Sequence, residues 1–180
     1  MRLFAEKRDC EYEIVPVSSL LEVKTGKEDA NFSNPSGLYD FFTCSKDVLK
    51  CDTPAFSGHA ILIAGNGDFN VKHFTGEFNA YQRTYVLIPN NELLYGSIYM
   101  STVKLINKFK KSSSGSIVKF ISKGDVENIQ VIIPKEKRFL TQLNGYLFSI
   151  ERNLKENEQL IAIRHNLLPL LMNGQITIAD

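Results

Sequence analysis

The chain has 180 residues, is 43% hydrophobic, and sets 21 basic against 20 acidic side chains for a net charge of +1. That supplies one well-buried core plus an appendage, too little for two ordinary domains, and the balanced charge excludes a uniformly basic nucleic-acid binder. No apolar run approaches the roughly 18 residues of a membrane span, and the opening "MRLFAEKRD" reaches charge too soon for a secretory signal, so a cytoplasmic location is expected.

In "EIVPVSSLLEVKTGK" a β-rich run leads to Ser18 and Ser19, which can cap a short helical turn ended by Gly26. Residues Asn31 to Gly37 read as a loop. The clearest strands follow: Ala60 to Ala64, then alternating Phe69, Val71 and His73, then Tyr85 to Ile88 before Pro89. Gly65-Asn66-Gly67 follows an apolar strand, as a nucleotide-binding loop would. A dinucleotide fingerprint, however, needs a third glycine where Asn70 stands and a helix immediately after. Asn66-Gly67 is a hairpin-turn pair, and the hairpin is the reading adopted.

Residues Asn91 to Phe109 predict an amphipathic helix, with Asn90 or Asn91 as cap and Leu94, Ile98, Leu105, Ile106 and Phe109 near helical spacing. It runs into the polar, glycine-containing "KKSSSGS". "IVKFIS" and "NIQVIIP" then predict two strands, with Pro134 closing the globular part. From Lys104 to Lys123 there are six lysines and no acid. Such a run reads either as a solvated helix face or as a surface for phosphates.

Beyond Pro134 the pattern becomes a heptad. Leu140, Leu143, Leu147, Ile150, Leu154, Asn157, Ile161, Arg164, Leu168 and Leu171 recur in steps of three and four, on one seam of a helix. At 1.5 Å per residue they span about 45–50 Å, longer than a small domain needs to cover its own core. The alternative is a helix folded back on residues 1–134. Asn157 and Arg164 are polar seam positions of the kind that fix register in paired helices. Pro169 should bend or restart the helix and Asn173-Gly174 should end it. The expected fold class is therefore α+β: a mixed α/β globular part over residues 1–134, then a long C-terminal coiled-coil helix within 135–180.

Cys10, Cys44 and Cys51 form no C-x-x-C pair, and His59, His73 and His165 do not fall at zinc-ligand spacings, so no metal site is expected. Asn34-Pro35-Ser36 lacks the second proline and the aromatic residue of an amino-methyltransferase motif, and is read as a turn. There is no G-x-x-x-x-G-K-[ST] loop and no convincing nuclease carboxylate cluster. The expectation is a chain without catalytic residues or cofactors of its own.

The stretches "LLEVKTGKE", "GLYDFFTCSKDV", "AILIAGNGDFNVKHFTGEFNAYQRTYVL", "SSSGSIVKFISKGDVENIQVIIP" and "LLPLLMNGQI", in that order, resemble the DNA-specificity subunits of type I restriction-modification systems. The resemblance implies a target-recognition domain for duplex DNA over residues 1–134 and a helical spacer over 135–180. It implies partners too: DNA methyltransferase (modification) subunits, which hold S-adenosylmethionine, and a restriction subunit with the motor and nuclease. Members of that family usually carry two such domains and two helices, whereas one of each is legible here. A homodimer paired antiparallel through residues 140–171 would restore the two-domain arrangement and read an interrupted palindrome. Charge, loop placement and the resemblance together nominate Lys72, Arg83, Lys110, Lys111, Ser113 and Lys119 for DNA contact. The heptad nominates Leu143, Leu147, Ile150, Leu154, Asn157, Ile161 and Leu168 for dimerisation. Two other readings remain open at this point: a coiled-coil adaptor whose globular domain binds protein, and an enzyme acting through Gly65-Asn66-Gly67 or a cysteine.

Overall fold

The computed structural model describes residues 11–67, 69–112 and 120–176, the side chains of Lys111 and Ser112 excepted. The chain runs β1 (Tyr12–Pro16), β2 (Lys24–Thr25), β3 (Tyr39–Phe42), β4 (Val48–Cys51), β5 (Phe56–Ala64), β6 (Val71–Ala80), β7 (Thr84–Leu87), α1 (Tyr95–Ser112), α2 (Lys123–Glu127), β8 (Gln130–Pro134) and α3 (Lys137–Met172). Single 3-10 turns occur at Val17–Ser19, Ala30–Phe32 and Glu92–Leu94. This is the expected α+β arrangement ending in a long helix. Its contacts divide it into two units at the Asn144–Gly145 bond.

In the first unit a six-stranded sheet has the order β2-β7-β5-β6-β3-β4. The apolar run of β5 and the alternating run of β6 pair antiparallel from Phe56↔Phe78 to Ile63↔Val71, the hairpin that Asn66-Gly67 predicts. β7 lies antiparallel on the other side of β5, with Ala64 opposite Thr84. A straight β6 of 10 residues would end about 30 Å from Ala64. Thr84 nevertheless follows Ala80 by only four residues, so the hairpin must curl. Gly58 and Gly76 stand opposite each other in the register, and both have positive φ, 124° and 141°. Side chains rarely allow that backbone, so the pair supplies the bend. The curled sheet then brings β3 to the turn after β6, where Tyr81 N–H donates to the Phe42 carbonyl at 2.9 Å and Gln82 N–H to the Glu28 carbonyl at 2.8 Å.

Inside the curl Phe42, Ala60, Leu62, Phe78, Ala80 and Val86 form one buried cluster. Phe78 touches Phe42, Phe56 and Phe74 with ring centroids 5.4–5.7 Å apart. A Cβ on Gly76 would lie 3.3 Å from the Phe74 ring in addition to straining the backbone. Gly76→Val is therefore expected to lower the unfolding free energy by about 1–3 kcal/mol, read as a lower urea midpoint with unchanged slope.

α1 buries Tyr95, Ile98 and Ile106. β1 and β8 form a separate antiparallel pair, Tyr12 opposite Pro134, and Ile132 N–H of β8 donates to Ser101 Oγ of α1 at 3.4 Å. The start of α3 is fixed to α1 by Asn144. Its Oδ1 accepts from Gly96 N–H at 2.8 Å, one of the amides that the start of a helix leaves without an internal partner, and its Nδ2 donates to the Glu92 carbonyl at 2.8 Å. Gly96 permits that approach: a Cβ there would stand 2.7 Å from Leu143 Cβ.

Several local expectations change; Phe69, at φ 44°, precedes β6 rather than belonging to it. The turn near Ser18 is a 3-10 turn over Val17–Ser19 with a single serine bond, Ser19 Oγ to the Pro16 carbonyl at 2.7 Å. The long helix starts at Tyr95 rather than at Asn91, because Asn91 caps the 3-10 turn that precedes it. Within "IVKFIS", Phe120 and Ile121 are not in a strand, and Ser122 forms a capping box with Asp125 that starts α2; Ile117 to Lys119 lie outside the described residues.

In the second unit α3 continues to Met172 through Pro169, which removes one hydrogen bond without ending the helix. Gly174, at φ 65°, ends it, with Gln175 N–H on the Leu170 carbonyl at 2.9 Å and Gly174 N–H on Leu171 at 3.1 Å. Leu147 is buried, whereas Ile150, Leu154, Ile161 and Leu168 are 46–55% exposed. No helix among the described residues is long and apolar enough to cross a membrane.

Candidate nucleic-acid interface

Four connecting segments of the first unit meet through hydrogen bonds: the loop 43–47 between β3 and β4, the hairpin turn 65–70, the turn 81–83, and Ile121 before α2. Gly65 N–H donates to the Arg83 carbonyl at 2.9 Å, and Ile121 N–H donates to the Gly65 carbonyl at 2.8 Å. Tyr85 O–H closes on the Ile121 carbonyl at 2.8 Å, and burial raises the pKa of that phenol. A Cβ on Gly65 would lie 2.6 Å from the Arg83 oxygen, so this position needs glycine for close approach. Gly67, at φ 74°, needs it for the turn. Gly65-Asn66-Gly67 thus serves the hairpin.

The loop 43–47 is bound on both flanks. Cys44 Sγ donates to the Arg83 carbonyl at 3.4 Å, Asn70 Nδ2 donates to the Cys44 carbonyl at 2.8 Å, and Lys72 Nζ donates to the Ser45 carbonyl. Lys72 is half-buried, with its ammonium 5.8 Å from the centre of the Phe42 ring. Burial pulls its pKa below the ordinary lysine value, while Cys44 and Asp47 act in the opposite sense.

Of the residues nominated for DNA contact, Lys72 and Arg83 are brought together, both bonded to this loop. The Arg83 side chain is exposed and its carbonyl serves as the joint. Lys110 is exposed near the end of α1, with Lys104 and Lys108 exposed on the same helix. The side chain of Lys111, and Ser113 and Lys119, lie outside the described residues, as does Cys10. Sequence reasoning missed Asn70 and the loop itself. The available signal was "TCSKD", two hydroxyl residues followed by a basic–acidic pair between short apolar runs.

Of the residues nominated for dimerisation, Leu143 and Leu147 are already buried within one chain, at 9% and 4% exposure. The exposed part of the seam therefore begins at Ile150 and continues through Leu154, Asn157, Ile161 and Leu168.

An α+β domain that gathers polar loops at one place and continues into a helix with an uncovered apolar seam is the class the structure defines. Residues 10–160 match the model of the type I restriction modification DNA specificity domain, and the chain belongs to that family. It is 36% identical over 183 aligned residues to the type I restriction enzyme EcoDI specificity subunit of Escherichia coli, covering 96% of this chain and 40% of that protein. The fold is similar to the S subunit of a type I restriction-modification system from M. genitalium, with a TM-score of 0.72 over 90% of this chain and 45% of that one, at 16% identity. It is also similar, at a TM-score of 0.52 and 16% identity over 92% of this chain and 47% of the other, to a chain solved for complex assembly and conformational transition of the type I R-M system. The chain thus spans less than half the length of these relatives.

Proposed function

We propose that this chain is a non-catalytic, sequence-reading DNA-binding component of a type I restriction-modification complex. Membership of the specificity-domain family carries the reading, and the bonded loop cluster around Arg83 supports it by offering a fixed polar surface. Lys110, Lys111 and Lys119 would contact phosphates, and Arg83 and Ser113 would face the grooves. The partners on this reading are modification subunits and, through them, a restriction subunit; the assembly context of one structural relative is in keeping with this.

The chain pairs with a second copy, antiparallel, through Ile150, Leu154, Asn157, Ile161 and Leu168. An uncovered apolar seam of this length supports pairing, since soluble proteins rarely leave one bare. A two-fold axis across antiparallel helices would set two identical readers at opposite ends, and the target would be an interrupted palindrome.

Binding of the full chain to duplex DNA across a salt series tests the reading. A phosphate interface must weaken as salt rises, whereas an adaptor that binds protein through apolar surface need not bind duplexes at all. Lys110→Ala with Lys111→Ala is expected to weaken all duplexes alike and to flatten the salt slope by about 2. Arg83→Ala is expected to lose preference at one base pair, by roughly 1–3 kcal/mol. A uniform loss for Arg83→Ala would make it a backbone contact instead.

A further inference from the structure

We infer that residues 43–47 are a base-reading loop and that Asn70 and Lys72 are the positioning residues that hold it in shape. The inference rests on the DNA-binding reading above. It gives Lys72, nominated from the sequence for DNA contact, a different task, and brings in Lys46 and Asp47, which charge alone did not single out.

The loop's own backbone argues for it. Five exposed or half-buried residues between two short strands would ordinarily be among the least ordered parts of a domain. Here two serine/threonine turns stiffen them, Ser45 N–H on Thr43 Oγ1 and Asp47 N–H on Ser45 Oγ, both at 3.2 Å. Asn70, just before β6, and Lys72, its second residue, then bind consecutive carbonyls, Cys44 and Ser45, and the Cys44 thiol reaches across to Arg83. The exposed tip carries Lys46 and Asp47. A side chain that must find one hydrogen-bonding edge among four base pairs loses less freedom on binding when its backbone is already fixed.

The chemistry of the tip argues for bases rather than phosphates. A lysine donates to the O6 and N7 of guanine, and a carboxylate accepts from the N4 amino group of cytosine. Asp47 would be repelled by the phosphate backbone, so it suits a base edge in a groove rather than a phosphate. The recognised element is therefore a G·C pair in the major groove. Lys72 cannot readily serve a phosphate from its present place, because its ammonium is half-buried, bonded to Ser45 and set against Phe42.

Two measurements on the full chain separate the parts of this inference. In the free protein, Lys72→Met is expected to raise amide hydrogen exchange at Ser45 and Asp47 at least tenfold without changing exchange in α1, and Lys72→Arg, which keeps a donor, to restore protection. Unchanged exchange at Ser45 and Asp47 would overturn the strut, whatever the DNA result. On duplexes varied one base pair at a time, Lys46→Ala and Asp47→Ala should each reduce a preference at a G·C position about tenfold. Lys72→Met should blur the same preference at an unchanged salt slope. A uniform loss with the slope reduced by about 0.9 would make Lys72 a phosphate contact and overturn its positioning role. Intact preference in the Lys46 and Asp47 variants, with the wild type still selective, would remove the reading loop and leave the DNA-binding reading standing. A wild type that binds no duplex would remove both, and the exchange result would still decide the strut.

Discussion

A chain carrying Leu154→Glu and Ile161→Glu is expected to sediment as a monomer at concentrations where the wild type is a dimer. Both side chains are 55% exposed on the free helix and sit one heptad apart on the seam. Covering a leucine or isoleucine contributes about 1.5–3 kcal/mol, and a two-fold pair covers each site twice. The double variant forfeits those contributions and would also place carboxylates in an apolar seam, which is more costly than losing the contact. A weakening of at least a thousandfold, about 4 kcal/mol, follows. Leu143 and Leu147 are poor positions for this test, since their burial within one chain means that changing them would also damage the fold. A wild type that is itself monomeric at micromolar concentration would contradict self-pairing and leave the seam to a modification subunit or to the chain's own domain.

The second large effect lies in the curled sheet. Phe78 is fully buried and meets three other phenylalanines, so Phe78→Ala opens a cavity that the surrounding rings cannot close without leaving their edge-on and stacked geometries. The expected loss is about 3–5 kcal/mol, against a total of about 5–15 kcal/mol for a domain. The readout is the urea unfolding midpoint. Because Phe42 is both a neighbour of Phe78 and the residue under the Lys72 ammonium, the loop 43–47 should lose exchange protection before the helices do. A loss under about 1 kcal/mol would mean that this cluster does not hold the sheet together.

Where the fold was legible in the sequence, the signal was local. β5, β6 and β7 announced themselves through continuous or alternating apolar runs around Asn66-Gly67, and α1 and α3 through helical spacing. β3 and β4 went unseen because each has four residues, and β3 is placed by parallel pairing with β6, a partner far along the chain. The curl depends on Gly58 lying opposite Gly76, which becomes visible only once the register is known. α2 carried its own signature in Ser122-Lys123-Gly124-Asp125, but the apolar residues before it favoured a strand.

The candidate site divides along the same line. Arg83 and Lys72 were identifiable by charge, yet only the folded chain sets both against the loop 43–47 and gives Lys72 a partner in Ser45. Asn70 bears no charge and acquires its role solely through a carbonyl 26 positions away. The seam was the most legible feature of all, because heptad spacing is local. What it could not reveal is that Leu143 and Leu147 would be spent inside the chain.

The central claim, that this chain directs a type I modification enzyme to a DNA sequence, is tested most directly by co-purifying it with the modification subunit from the same source and mapping methylated positions on DNA. The account predicts a stable complex that modifies a single interrupted palindrome, its gap set by the paired helices. Failure to form a complex with the modification subunit, or methylation with no defined sequence, would contradict it.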